Sequence, residues 1–220
     1  MTITFHPFRR ATVFGLLLAG TLSLGAAQRE RVVGLPCEGC DAVFEGMPTT
    51  INTEGRLAPA GEPGRPLVVE GVVTTATGAA ASGIIIYAYQ TDAGGLYPPA
   101  PSLRGAAARH GRLRGWARTD SAGQYRFLTI RPGGYPNTDI PEHVHLHVIE
   151  PGRCTYYIDD VVFEDDPRLT ARQRAAHGRG RGGSGSVRPT GSAAAGWNAR
   201  RDIRLGAGIN GYGQCGPGAR

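Results

Sequence analysis

The amino-acid sequence predicts an all-β protein, an antiparallel β-sandwich with long loops and little helix. Three observations lead there. Short runs rich in Val, Ile and Tyr recur from Leu67 onward. Glycine and proline, 34 and 16 of 220 residues, break the chain between them, and only one stretch carries a helix start signal. Antiparallel strands need only short turns, whereas parallel ones need crossover segments of a dozen residues or more.

The elements follow in order. Residues 1–27 read as a signal peptide: Arg9 and Arg10 precede an apolar stretch from Ala11 to Leu24, and Gly25-Ala26-Ala27 forms a small-residue cleavage point. The stretch is too short to span a bilayer, and no cysteine follows it as a lipoprotein would require. The arginine pair raises the twin-arginine route, but Ala11-Thr12-Val13 fits that signal poorly, so both export routes stay open. The expected location is periplasmic or secreted, with no membrane contact after cleavage.

Residues 28–66, rich in Gly, Pro and Thr without sustained periodicity, are expected as an extended arm laid over the core. Residues 67–220 form the sandwich. Its strands are LVVEGVV (67–73), GIIIYAYQ (83–90), GQYRFLTI (123–130), HVHLHVI (143–149) and YYIDDVVF (156–163), with RDIRL (201–205) as a last short run. Thr170 is the expected N-cap of a helix reaching about Ala176. Residues 178–196 are Gly, Ser, Arg and Ala with almost nothing to bury, and are expected as a flexible surface loop. No internal repeat is evident.

All 24 basic residues are arginine, against 18 acids, for a formal charge of +6; signal removal takes two arginines and no acid, leaving +4. The positive charges are scattered without aromatic interleaving, which argues against nucleic acid as a partner. No nucleophile elbow, phosphate loop or dinucleotide fingerprint is present. Four cysteines in an exported chain point to two disulfides, with three pairings open. The C-x-x-C of Cys37 and Cys40 lacks both a second half-site and a βαβ context, so we favour Cys37–Cys40 with Cys154–Cys215.

The segment GGYPNTDIPEHVHLH, residues 133–147, concentrates the chemistry. Tyr135 sits in a Gly/Pro turn, followed eight and ten residues later by His143 and His145. Alternate residues of a strand share a face, so the two imidazoles can converge without distortion. Imidazole with anionic oxygen suits a first-row metal such as iron, and a bound cation is the strongest aid to ionising a phenol.

The ordered series LVVEGVV, GIIIYAYQTDAGGLY, RTDSAGQYRFLTIRPGGYP, IPEHVHLHV and VVFEDDP resembles the intradiol ring-cleavage dioxygenases, the protocatechuate 3,4-dioxygenase group, over about residues 66–167. The resemblance implies a β-sandwich holding one non-haem ferric iron through two tyrosines and two histidines. By position these are Tyr97 in DAGGLYPP, Tyr135, His143 and His145. It implies insertion of both atoms of dioxygen into a catechol, cutting the ring between its hydroxyls to a muconate-type diacid. It further implies that Tyr135 is displaced by substrate and accepts a catechol proton, while Tyr97 persists as phenolate. Two positions depart from the pattern. Ile140 stands where the family often has an arginine, and Asp160 where it often has a glutamine; Arg131 and Arg153 are the candidates to supply the missing charge.

The remaining candidates have plainer readings. His147 is expected as core or as a support to the site, and His110 and His177 as solvated. Trp116 and Tyr125 are expected as core or pocket wall, and EDDP (164–167) as a solvated turn rather than a calcium loop. The helical dimerisation region of the catechol 1,2-dioxygenase branch is missing, so a bare catalytic domain is expected, with assembly into homo-oligomers left open. The function expected is a ferric dioxygenase of catechols. The alternative is a non-catalytic secreted β-sandwich binding module that keeps the scaffold.

Overall fold

The structure, a computed structural model, describes residues 1–2, 31–34, 39–177 and 180–216. All but two residues of the expected signal peptide, and Cys37, lie outside these. Among the described residues twelve strands form: β1 (Arg31–Val32), β2 (Glu54–Arg56), β3 (Pro66–Thr74), β4 (Ile85–Tyr89), β5 (Arg114–Arg118), β6 (Gln124–Ile130), β7 (His143–Glu150), β8 (Cys154–Phe163), β9 (Ser186–Val187), β10 (Thr190–Ser192), β11 (Gly196–Arg200) and β12 (Ile203–Arg204). Two short α-helices among the described residues, α1 (Gly105–Arg109) and α2 (Ala171–His177), interrupt them, with 3-10 turns at Ala42–Phe44 and Tyr212–Gln214.

Two sheets stack as predicted. The first runs β1-β8-β7-β4-β5 with β9 beside β8; the second runs β10-β11-β3-β6-β2 with β12 beside β3. The central pairings β4–β5, β4–β7, β7–β8 and β3–β6 are antiparallel. Strands β1, β2, β9, β11 and β12 add on in parallel, so both sheets are mixed. These added strands come from the arm and the late loops, which run alongside the sheet instead of turning back in a hairpin. Strand β9, one of them, and β10, which pairs antiparallel with β11, both arise within the Gly-rich stretch 178–196.

Strict alternation in β3 turns Leu67, Val69 and Val73 inward, where they meet Ile86, Phe127, Leu146, Val148, Ile158 and Phe163 between the sheets. The arm makes a third layer. Val43 is fully buried, and Phe44, Met47 and Ile51 pack with it against Ile85, Tyr87, Tyr89 and Ile149 on the outer face of the first sheet. The Trp116 indole N–H donates to the Val43 carbonyl at 2.8 Å, and Arg114 donates to the Ala42 and Glu45 carbonyls, fixing the arm to β5.

Cys154 and Cys215 form a disulfide with Cα atoms 5.5 Å apart, tying β8 to the chain's end. Cys40 is also disulfide-bonded; its expected partner, Cys37, lies outside the described residues. Helix α2 starts as predicted. The Gln173 N–H donates to Thr170 Oγ1 at 3.2 Å and the Thr170 N–H donates to Gln173 Oε1 at 2.9 Å, a reciprocal capping box.

Candidate metal centre

The site lies on the outer face of the first sheet, where β7 leaves the loop that carries Tyr135. On β7, Val144, Leu146 and Val148 face the sandwich core, so His143, His145 and His147 face outward. The two tyrosines come from loops pressed together backbone to backbone. Thr91 Oγ1 donates to the Gly133 carbonyl at 2.7 Å, and the Gly133 N–H donates to the Asp92 carbonyl at 2.8 Å. A side chain at Gly95, whose φ is 80°, would lie 2.1 Å from the Gly134 carbonyl oxygen, and one at Gly133 would lie 2.6 Å from that of Ala93. Gly95 and Gly133, one from each motif, are therefore required by contact between the loops, and that contact brings the two phenols together.

The four side-chain tips converge. Tyr97 Oη lies 2.6 Å from Tyr135 Oη and 2.8 Å from His145 Nε2. His143 Nε2 lies 3.1 Å from His145 Nε2 and 3.2 Å from Tyr135 Oη, which is 3.4 Å from His145 Nε2. Donor atoms each about 2 Å from a common centre stand about 3 Å from one another.

The tautomers sharpen this. His143 Nδ1–H donates to the Pro141 carbonyl at 2.7 Å, and His145 Nδ1–H donates to Asp160 Oδ1 at 2.9 Å. Both Nε2 atoms then carry lone pairs, and these face each other at 3.1 Å. Two lone pairs held together with two phenol oxygens form a donor set that a cation satisfies, and the Nδ1–H bonds are the outer support that ligating histidines use. Burial and the neighbouring His145 lower the His143 pKa, which keeps its ring neutral and available as a ligand.

The wall behind the tips is aromatic. Tyr89 stacks on His145 at 4.3 Å and on His110 at 3.6 Å, and Tyr87 Oη lies 2.8 Å from His110 Nδ1. A cavity of about 320 Å³ above the site is lined by Tyr89, Tyr97, Arg109, His110, Tyr135 and His145. His110 is thus not solvated as expected. It is 4% exposed, because α1 turns its ring in against Tyr89, and burial lowers its pKa to about 3. The stretch 104–113 gave no sign of this, since its arginines read as solvent-facing and a five-residue helix leaves no period.

His147 is fully buried beneath the arm, with Nδ1 3.7 Å from the Cys40 sulfur, and burial lowers its pKa to about 3. Tyr125 is core, its hydroxyl donating to the Arg201 carbonyl at 2.6 Å, while Trp116 packs in the outer cluster. His177 is half-buried rather than solvated.

The acidic run is also not a solvated turn. Asp165 accepts two hydrogen bonds from Arg131 at 2.7 Å, and Asp166, 5% exposed, accepts the Glu142 N–H at 2.6 Å. Arg131 donates to Glu142 as well, so this network fixes the residue before His143. Arg131 is consequently spent on structure, and Arg153 pairs with Glu150 at 2.6 Å. Neither lines the cavity; the arginine that does is Arg109. Ile140 is exposed.

Comparison with known proteins agrees with the fold. The family described as Dioxygenase matches residues 43–179. The protocatechuate 3,4-dioxygenase beta chain of Burkholderia cepacia is 32% identical over 124 residues, 50% of this chain and 49% of that one, so the chain spans about half the length of this relative. Among solved structures, the dioxygenase domain of a dioxygenase carbohydrate-binding protein fusion from Streptomyces sp. SirexAA-E superposes with a TM-score of 0.51 at 23% identity. The match covers 74% of this chain and 94% of that one. The wild-type catechol 1,2 dioxygenase of Acinetobacter radioresistens gives 0.53 at 18% identity, over 76% and 61%. These structural likenesses speak to the fold, and the family match speaks to descent: the chain belongs to the intradiol ring-cleavage dioxygenase family.

Proposed function

We propose that this chain is a non-haem dioxygenase with one ferric iron held by Tyr97, Tyr135, His143 and His145. It cleaves a catechol-type aromatic ring between its two hydroxyls with dioxygen, giving a muconate-type diacid. The observation that carries the proposal is the pair of facing Nε2 lone pairs closed in by two phenol oxygens. Family membership and the activities for which the relatives are named support the same reaction class.

Ferric iron, when bound, supplies the Lewis acidity that ionises the phenols and opens a catechol to dioxygen. The chain's residues prepare for this. Burial, together with the Tyr135 hydroxyl, holds the Tyr97 phenol above its ordinary pKa, so Tyr97 keeps its proton until a cation arrives. Tyr97 packs into the apolar cluster under the arm, which suits a ligand that stays. Tyr135 sits in a turn whose following residues, 136–140, are exposed, which suits one that swings out and takes a catechol proton on Oη. Tyr89 and His110 close the cavity wall with flat rings matched to a planar substrate.

An optical spectrum with metal analysis of the purified protein tests the proposal. One iron per chain with a visible tyrosinate-to-iron band that shifts on anaerobic catechol addition is expected. A colourless protein at full iron occupancy overturns it. Ile140, with Arg131 and Arg153 engaged elsewhere, favours a second reading as a binding module; oxygen uptake with catechol separates the two, since a module consumes none.

Export to the periplasm or beyond is proposed alongside. The Cys154–Cys215 disulfide supports it, and among the described residues no helix is long and apolar enough to cross a membrane. Cell fractionation that finds the uncleaved chain in the cytoplasm would remove this part.

A further inference from the structure

Strand β8 carries an irregularity opposite the metal centre. Val144 of β7 pairs with Val161 and Leu146 with Ile158, so β8 advances three residues where β7 advances two. The extra residue is a β-bulge. In a regular strand Tyr157 and Asp160, an odd number apart, would face opposite ways. With the bulge between them both face the histidines, while Ile158 and Val161 both stay in the core.

The result is a relay on one oxygen. Asp160 Oδ1 accepts His145 Nδ1–H at 2.9 Å and also a hydrogen bond from the Tyr157 hydroxyl. Arg181 lies over the Tyr157 ring, 4.5 Å from its centroid, and donates to Asp159 Oδ1 at 3.0 Å, which pins the bulge from outside. His143, His145 and Asp160 lie together as potential ligands. Asp160, however, meets the Nδ1 edge of His145, the edge opposite the Nε2 that faces the tyrosines.

We infer that Asp160, itself held by Tyr157, is a positioning residue that sets both the orientation of His145 and the electron donation of that imidazole to the bound metal. This rests on the metal-centre reading above. A carboxylate pulls the Nδ1 proton toward itself and makes Nε2 a stronger donor, which a neutral amide does not do to the same degree. The Tyr157 hydroxyl competes for the same oxygen and tempers that pull. The charge on Asp160 therefore stabilises the ferric state, and Tyr157 limits how far.

Three variants of the full chain separate orientation from charge. Asp160→Asn keeps an acceptor for His145 but removes the charge; Tyr157→Phe removes the competing donor; Asp160→Ala removes acceptor and charge together. Iron affinity by chelator competition, the ferric/ferrous midpoint potential and the visible band are read on each, with melting of the metal-free proteins as a folding control. Asp160→Ala is expected to lose about 10–100-fold in iron affinity. Asp160→Asn should lose less, with a more positive potential and a band moved to longer wavelength. Tyr157→Phe should move potential and band the opposite way. Opposite signs are the signature, because mere loosening would move both variants alike. Shifts of the same sign, or none, in proteins whose metal-free forms melt like the parent overturn the inference and leave the iron site standing. A parent protein with no iron-dependent band overturns the site reading itself.

Discussion

The two faces of the first sheet are built from the same strands and differ in nearly everything else. On the inner face, Ile86, Ala88, Val144, Leu146, Val148, Ile158 and Val161 make a dry core against the second sheet. On the outer face, the residues between them are Tyr87, Tyr89, His143, His145, His147, Tyr157 and Asp160, covered by the arm and by α1. One face is stabilised by burying carbon. The other buries polar groups, each needing a partner, and those partners force a defined geometry. Stability and chemistry are thus separated by the two-residue period of a strand, and single substitutions should tell the faces apart.

The largest contrast is expected at Tyr135→Phe, on the outer side. Loss of the proton-accepting hydroxyl should lower turnover of a catechol about 10²–10⁴-fold while leaving the melting temperature of the metal-free protein unchanged. Oxygen uptake beside calorimetry reads both. The mirror experiment is Leu146→Ala, which leaves a void in the core and should cost about 2–5 kcal/mol in denaturant unfolding, with iron content per folded chain unchanged. If Leu146→Ala emptied the site at full folding, the separation of the faces would be lost.

Removing the Cys154–Cys215 disulfide by Cys154→Ser with Cys215→Ser should cost about 2–4 kcal/mol, the loop being 61 residues, without moving the visible band. The outer face should also be acid-labile. His110 and His147 are held neutral, each with its pKa lowered to about 3, whereas in the unfolded chain they take up protons near 6.5. Their folded values lie below the unfolded ones, so the unfolded state binds the extra protons. Stability is then full above about pH 6.5 and falls as the pH drops toward 3, by up to about 1.4 kcal/mol per pH unit for each histidine. Denaturant midpoints from pH 7 to 4 should show this fall, and His147→Phe should flatten it. The smallest effect is expected at Thr170→Ala, at an exposed helix cap. Losing the cap of α2 should cost about 1 kcal/mol with no change in iron or turnover.

Strands β3, β4, β6, β7 and β8 were legible because each is long enough to show β-branched runs or alternation. Strand β5, Arg-Gly-Trp-Ala-Arg, has arginine at both ends and no β-branched residue, and β1, β2 and β9 are too short to show a period, whereas β12 falls inside the expected run RDIRL. Of the site, His143 and His145 were visible as a same-face pair, and Tyr97 and Tyr135 through the ordered motifs. His110 was hidden in an arginine-rich stretch. The support from Asp160 and Tyr157 was hidden by their odd spacing, which reads as opposite faces until a bulge is inserted.

By itself the sequence determined the sandwich, the identity of its main strands and the residue types at the centre, because strand period and turn chemistry are local properties of a chain. Only the tertiary structure decided which groups meet. Contact between the Gly94-Gly95 and Gly133-Gly134 turns brings the phenols together. The bulge in β8 turns Asp160 onto His145, and the ion pairs of Arg131 remove it from the cavity while Arg109 enters. Those outcomes depend on distances between segments remote in the chain, and no local pattern encodes them.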